Sequence, residues 1–181
     1  MLFRSVRSAL DFVRAHAVEW NIDPQRVALI GESAGAHLVS MAALQPGQTK
    51  PVQGVVAFYS PSDLVNLVET SPRIPDLLRN LIKSSPFAAM LMNGLKQLSP
   101  QTWINGDAPP FLMIHGTADA LVPVQQSETM CGALQKSGAR CDLLEVPGAG
   151  HGLNFWEGRS ALTGYKTVMM DWLKSVLVPA R

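Results

Sequence analysis

Little in this 181-residue chain points to charge-driven or metal chemistry. Only 16% of its residues are charged, 15 basic against 14 acidic, so it carries no electrostatic footprint for nucleic acid or another polyanion. Cysteine is scarce: Cys131 and Cys141 show neither metal nor redox spacing, and reduced structural thiols are the expectation. No phosphate-binding glycine loop, zinc motif or dinucleotide fingerprint occurs, so no metal and no organic cofactor is expected. No apolar run approaches the ~20 residues that span a bilayer. Arg4 and Arg7 interrupt the apolar N-terminus, so no signal peptide is expected; a mature secreted form also fits, but a cytoplasmic protein is the favoured expectation. What the chain has in quantity is apolar surface, 47% of residues with a mean hydropathy of +0.12. That much buries a sheet on both faces, and 181 residues make one domain rather than two.

The stretch with most chemical content is Val27-Ala-Leu-Ile-Gly-Glu-Ser-Ala-Gly-Ala-His-Leu38. A short apolar run enters Gly31-Glu-Ser-Ala-Gly35, and a helical pattern leaves it. In that strand–turn–helix setting G-x-S-x-G reads as a nucleophile elbow, with Ser33 lifted from the sheet on a strained backbone. Strand and helix nearly touch there, and Gly31, Ala34, Gly35 and Ala36 supply the small residues such an approach needs.

The rest of the chain alternates strand and helix. Leu2, Val6, Leu10, Val13 and Ala17, with Phe3 and Trp20 alongside, predict an amphipathic helix over 2–20, ended by Asn21-Ile-Asp-Pro24 ahead of a strand at 26–30. After the elbow a helix runs to about Leu44. Strands are expected over 52–59, 111–114 and 141–146, and helices over 124–137 and 160–177, the last burying Leu162, Tyr165, Val168, Met169, Trp172 and Leu173. Residues 64–104, with Pro72, Pro75, Pro86 and Pro100, read as an insertion of short helices lying over the sheet like a lid. The pattern is α/β: a mostly parallel sheet of about four strands flanked by helices.

Reactive groups in such sheets gather beyond the carboxyl ends of the strands. Ser33, Asp119 and His151 each follow one. A serine hydroxyl needs a base to take its proton, and the imidazole needs a carboxylate to hold its tautomer. His151, between Gly150 and Gly152, is the best-placed histidine. His16 and His37 read as structural, and His115 as a brace for the Asp119 loop and a weaker second candidate. Asp63 also follows a strand but suits a helix cap, and Asp107 and Asp142 suit surface turns. Glu32 either points away from the hydroxyl or enters the substrate groove.

Three blocks together resemble the α/β-hydrolase superfamily, in its carboxylesterase, acetyl-esterase and hormone-sensitive-lipase-like branch. They are Asp23–Leu38 around the elbow, Pro109–Pro123 around the acid and Val146–Gly152 around the histidine. The resemblance implies Ser33 as nucleophile, Asp119 as acid, His151 as base and the Ala34 N–H as one oxyanion donor. It departs at the front, where relatives have further strands and a His-Gly-Gly-type loop. Each lost oxyanion donor costs about 2.7–4 kcal/mol of transition-state stabilisation, and the elbow strand becomes an exposed apolar edge through which a homodimer is expected. The implied function is a serine esterase acting on small acyl esters through an acyl-enzyme. A truncated, catalytically silent hydrolase kept as an interaction module, and a prolyl-oligopeptidase-like peptidase, remain alternatives.

Overall fold

The computed structural model describes residues 4–47, 51–71 and 73–178. Leu2 and Phe3 of the first expected helix, and Pro72 of the insertion, lie outside the described residues. In chain order the elements are α1 (Arg4–Ala15), β1 (Ala28–Glu32), α2 (Ala34–Leu44), β2 (Gly54–Phe58), α3 (Leu64–Thr70), α4 (Asp76–Ser84), α5 (Ala88–Gln97), β3 (Phe111–Gly116), α6 (Gln125–Lys136), β4 (Cys141–Val146) and α7 (Tyr165–Leu177). The four strands make one sheet in the order β1-β2-β3-β4, with every pairing parallel.

Alternate residues of β2, β3 and β4 enter two separate cores, as the two-residue side-chain period requires. Val55, Ala57, Phe111 and Met113 meet Leu10 of α1, Ala36 and Val39 of α2 and Met130 and Leu134 of α6 on one face. Val56, Phe58, Leu112 and Ile114 meet Tyr165 and Trp172 of α7 on the other. The two inner strands are buried at every position, which is why they read as continuous apolar runs. β1 is an edge strand, and its Ile30 is half exposed.

Several expected boundaries move. α1 stops at Ala15 rather than 20, giving way to turns that close on Asn21 with a left-handed φ of 51°. Phe12, His16 and Trp20 still stack in sequence, with ring centroids 4.1 Å and 5.3 Å apart. The strand expected at 26–30 runs Ala28–Glu32, because Gly31 and Glu32 still pair with Ala57 and Phe58. The last helix begins at Tyr165, after 3-10 turns at Leu153–Phe155 and Ser160–Leu162. Its Val168 is exposed rather than buried, since only the Tyr165–Trp172 side faces the sheet. Asp142 is not in a turn: it lies in β4 and accepts hydrogen bonds from Trp172 Nε1 at 2.7 Å and Arg140 Nε at 2.8 Å.

The cysteines are a correction as well. Cys131 on the inner side of α6 and Cys141 at the start of β4 bring their Cα atoms within 5.4 Å and form a disulfide. Sequence spacing hid the pairing, because helix and strand run back past each other only once folded. The expectation of reduced structural thiols is thereby overturned.

Gly31 and Gly35 differ in a way the motif does not suggest. A Cβ on Gly31 would stand 2.4 Å from the Gly35 carbonyl oxygen, whereas one on Gly35 would meet nothing within 4 Å. The expectation that Gly35 must be small is therefore corrected; the close approach falls on Gly31. Gly31→Ala is expected to destabilise by about 3 kcal/mol or more, through backbone that cannot yield. Gly35→Ala is expected to stay within about 1 kcal/mol of the parent, on the stabilising side, from helix propensity. Denaturant unfolding of the two variants measures both. Opening the short Cys131–Cys141 loop is expected to cost about 2–3 kcal/mol, read as a lower melting temperature in reducing buffer.

Candidate active site

Ser33 sits between β1 and α2 with φ 52° and ψ −118°, the strained conformation expected of an elbow. Its N–H donates to the Phe58 carbonyl at 3.0 Å, so the last rung of the β1–β2 ladder anchors the turn. α2 starts immediately, and no side chain caps it. The Ala34 N–H, in its first turn, has no acceptor four residues back and lies at an exposed position.

The structure brings the other two residues to this serine. His151 Nε2 lies 2.8 Å from Ser33 Oγ, and its Nδ1 lies 2.7 Å from Asp119 Oδ2. A carboxylate oxygen only accepts, so Nδ1 carries the ring proton and Nε2 is left to accept the serine hydroxyl. Asp119 is buried, with its second oxygen taking the N–H groups of Leu121 at 2.8 Å and Val122 at 2.9 Å. Burial alone would raise its pKa. Hydrogen bonds from His115, Val122 N–H, His151 and Leu121 N–H outweigh that and bring it down to about 2.

Acid and histidine loops are sewn together. A Cβ on Gly116 would fall 2.2 Å from the Ala149 carbonyl oxygen. That same oxygen accepts the Ala118 N–H at 3.0 Å. Thr117 Oγ1 accepts the Gly148 N–H at 2.9 Å, and the buried Trp156 indole donates to the Gly150 carbonyl at 2.8 Å.

The remaining candidates take supporting places. His115 is fully buried; its Nε2 faces the Val122 carbonyl at 2.9 Å and Asp119 Oδ2 at 3.4 Å. Both are acceptors, so Nε2 bears the proton and Nδ1 accepts the Ser127 hydroxyl at 2.7 Å. It braces the acid loop and does not reach Ser33. His16 bonds the Phe12 carbonyl at 2.8 Å, and His37 Nε2 bonds the Leu98 carbonyl at 2.7 Å. Asp63 caps α3, accepting the Asn66 N–H at 3.0 Å, and Asp107 is exposed. Among the described residues no group of three or more His, Cys, Asp or Glu is arranged to hold a metal ion. No helix there is long and apolar enough to cross a membrane.

One site neighbour is missed by the sequence reading. Tyr59, immediately after β2, has a left-handed φ of 38° and is 1% exposed. Its ring centroid lies 4.6 Å from that of His151. The phenol donates to the Glu32 carboxylate and accepts the Leu153 N–H at 3.1 Å. A non-glycine residue in such a conformation costs of order 1–3 kcal/mol, and two of them, Ser33 and Tyr59, stand at adjacent strand ends. The signal available beforehand was position alone: an aromatic with a polar tip at the level of the elbow.

Arg73, between α3 and α4, reaches the acid loop, and the residues leading into α3 reach α6. Arg73 Nε donates to the Ala120 carbonyl at 3.4 Å. Gln126 takes the Ser62 and Asp63 N–H groups at 3.0 Å and 2.8 Å.

The BD-FAE family model matches residues 2–134. The probable carboxylic ester hydrolase LipM of Mycobacterium tuberculosis is 37% identical over 142 residues, covering 72% of this chain and 33% of LipM. Esterase LipQ of the same organism is 32% identical over 158 residues, covering 81% of this chain and 37% of LipQ. The chain thus spans about a third of the length of these curated relatives. Among solved structures, a truncated form of a carbohydrate esterase from gut microbiota superposes with a TM-score of 0.76 at 24% identity, over 98% of this chain and 68% of that one. Thermogutta terrifontis esterase 2, phosphoramylated by tabun, does so with a TM-score of 0.68 at 27% identity, over 98% and 66%. With the family model matched over most of its length and its sheet shared with solved esterases, the chain belongs to the BD-FAE family and has the α/β-hydrolase fold.

Proposed function

We propose that this chain is a carboxylic-ester hydrolase working through Ser33, His151 and Asp119, with small acyl esters as substrates. The observation that carries the reading is the unbroken line of hydrogen bonds from Ser33 Oγ through the His151 ring to buried Asp119. Names of relatives support the same class: LipM and LipQ are a probable carboxylic ester hydrolase and an esterase, and an acetylxylan esterase of Xylanibacter ruminicola is 27% identical over 177 residues.

On this reading the Ser33 hydroxyl proton passes to His151 Nε2 as Oγ attacks the ester carbonyl. The imidazolium that forms keeps its Nδ1–H on Asp119. Ala34 N–H, free at the start of α2, donates to the oxyanion. Collapse of the tetrahedral intermediate expels the alcohol, which takes the proton from Nε2, and leaves an acyl group on Oγ. Water then attacks that ester, giving its proton to Nε2, and the carboxylic acid departs as Ser33 regains its hydrogen. No other group has to enter the balance.

Residues 64–104 act on this reading as a lid over a single domain, because Arg73 ties them to the residue following Asp119. The open edge of β1 is the proposed face of a homodimer. Size exclusion at micromolar concentration is expected to return a dimer, and a clean monomer would remove that part.

Hydrolysis of p-nitrophenyl acetate and butyrate tests the chemistry. Ser33→Ala is expected to lower turnover by on the order of 1000-fold or more. Wild-type hydrolysis no faster than that variant's overturns the esterase reading, and covalent labelling of Ser33 by a fluorophosphonate probe gives the parallel result without a substrate. Asp119 adds a pH dependence. Its folded pKa of about 2 lies below the ordinary aspartate value of 3.8, so the stabilisation is present above about pH 4 and disappears as pH falls through 2. That is on the order of 2 kcal/mol. The melting-temperature gap between wild type and Asp119→Asn is expected to narrow as pH drops from 5 to 2.

A further inference from the structure

One polar contact set beside the site has no part in the proton transfer described above. Glu32 is the last residue of β1 and the neighbour of Ser33. Leu153 lies two positions past His151, in the 3-10 turn Leu153–Phe155. Nothing in the sheet ladder joins these two segments. The Tyr59 hydroxyl does so, beside the His151–Ser33 hydrogen bond itself, donating to the Glu32 carboxylate and accepting the Leu153 N–H at 3.1 Å.

We propose that Tyr59 and Glu32 are positioning residues, clamping the elbow to the histidine loop and thereby setting the Ser33–His151 distance. The inference rests on the serine-hydrolase reading for its kinetic consequence, although the clamp itself is a structural claim about the His151 ring.

Three observations converge on it. The Tyr59 ring lies against the His151 imidazole, centroids 4.6 Å apart and planes at 57°, so it limits ring tilt as well as loop height. Its backbone is held at a φ of 38° that side chains seldom adopt, and strain of that kind persists only where surrounding contacts over-determine it. Burial, joined by the hydrogen bond to Glu32, pushes the phenol well above the usual tyrosine range. The hydroxyl therefore keeps its proton through neutral and mildly alkaline pH, as a donor to Glu32 must. Proton transfer between Oγ and Nε2 needs close alignment, and displacement of about 1 Å in a reacting pair costs as much as 100-fold in rate.

The experiment uses the full chain and four variants: Tyr59→Phe, which keeps the ring and loses the hydroxyl; Glu32→Ala, which loses the acceptor; Glu32→Gln, which restores one; and His151→Ala as a reference. Turnover of p-nitrophenyl acetate is one readout. The other is the downfield proton resonance of His151 Nδ1–H, identified by its loss in His151→Ala. Tyr59→Phe and Glu32→Ala are expected to lower kcat about tenfold with KM little changed, and to broaden or lose the resonance. Glu32→Gln is expected to recover most of both. Glu32 is exposed, so its two variants stay informative should Tyr59→Phe fold poorly. The clamp is overturned if Tyr59→Phe and Glu32→Ala keep kcat within about twofold and an unchanged resonance, or if Glu32→Gln is as impaired as Glu32→Ala. Absence of turnover in wild type overturns the esterase reading instead, and the resonance alone then decides the clamp.

Discussion

A carboxylate removed from water has to find a donor for its lone pairs, and Asp119 organises its surroundings around that requirement. Both side-chain oxygens are fully buried. One is met by two consecutive backbone N–H groups, which forces the tight turn at 119–122. The other is met by His151, with His115 behind it. Leaving such a charge without partners would cost several kcal/mol. The loop, the buried His115 on β3 and the Ser127 hydroxyl beneath it therefore form one unit, whose product is a fixed imidazole tautomer.

Much of this was legible in the sequence because it depends on short-range pattern. Buried parallel strands show as uninterrupted apolar runs, and β2, β3 and β4 appear close to where they were expected. The elbow was legible for a different reason: few residues tolerate a backbone like that of Ser33, so small neighbours on both sides give it away. Asp119 and His151 could be ranked above their rivals because strand ends in such sheets converge, and the structure brings both to Ser33.

What was not legible depends on contacts made only in three dimensions. The Cys131–Cys141 pairing needs α6 to lie back across β4, and no spacing rule announces it. Glu32 and Tyr59 meet across neighbouring strand ends, each looking unremarkable in its own segment. The end of α1 escaped because the stacked Phe12, His16 and Trp20 rings continue the helical spacing beyond Ala15, while the left-handed Asn21 closes the chain into turns. Gly35 was misjudged by applying the motif's need for small residues uniformly, when of its two glycines only Gly31 makes the close approach.

The edge position of β1 has a consequence for how the site comes apart. Val27 accepts from Gln53, and the Ser33 N–H donates to Phe58. With a period of two, the amides of Ala28, Ile30 and Glu32 point away from β2. Hydrogen exchange along this strand should therefore alternate, slow at one residue and fast at the next. Ser33 occupies the terminal rung of a ladder supported on one side only, whereas Asp119 follows a strand paired on both sides. Local opening begins where a ladder is thinnest. β4, which leads to His151, is an edge strand too, so fraying at either edge separates Ser33 from His151 while Asp119 stays with the inner strand.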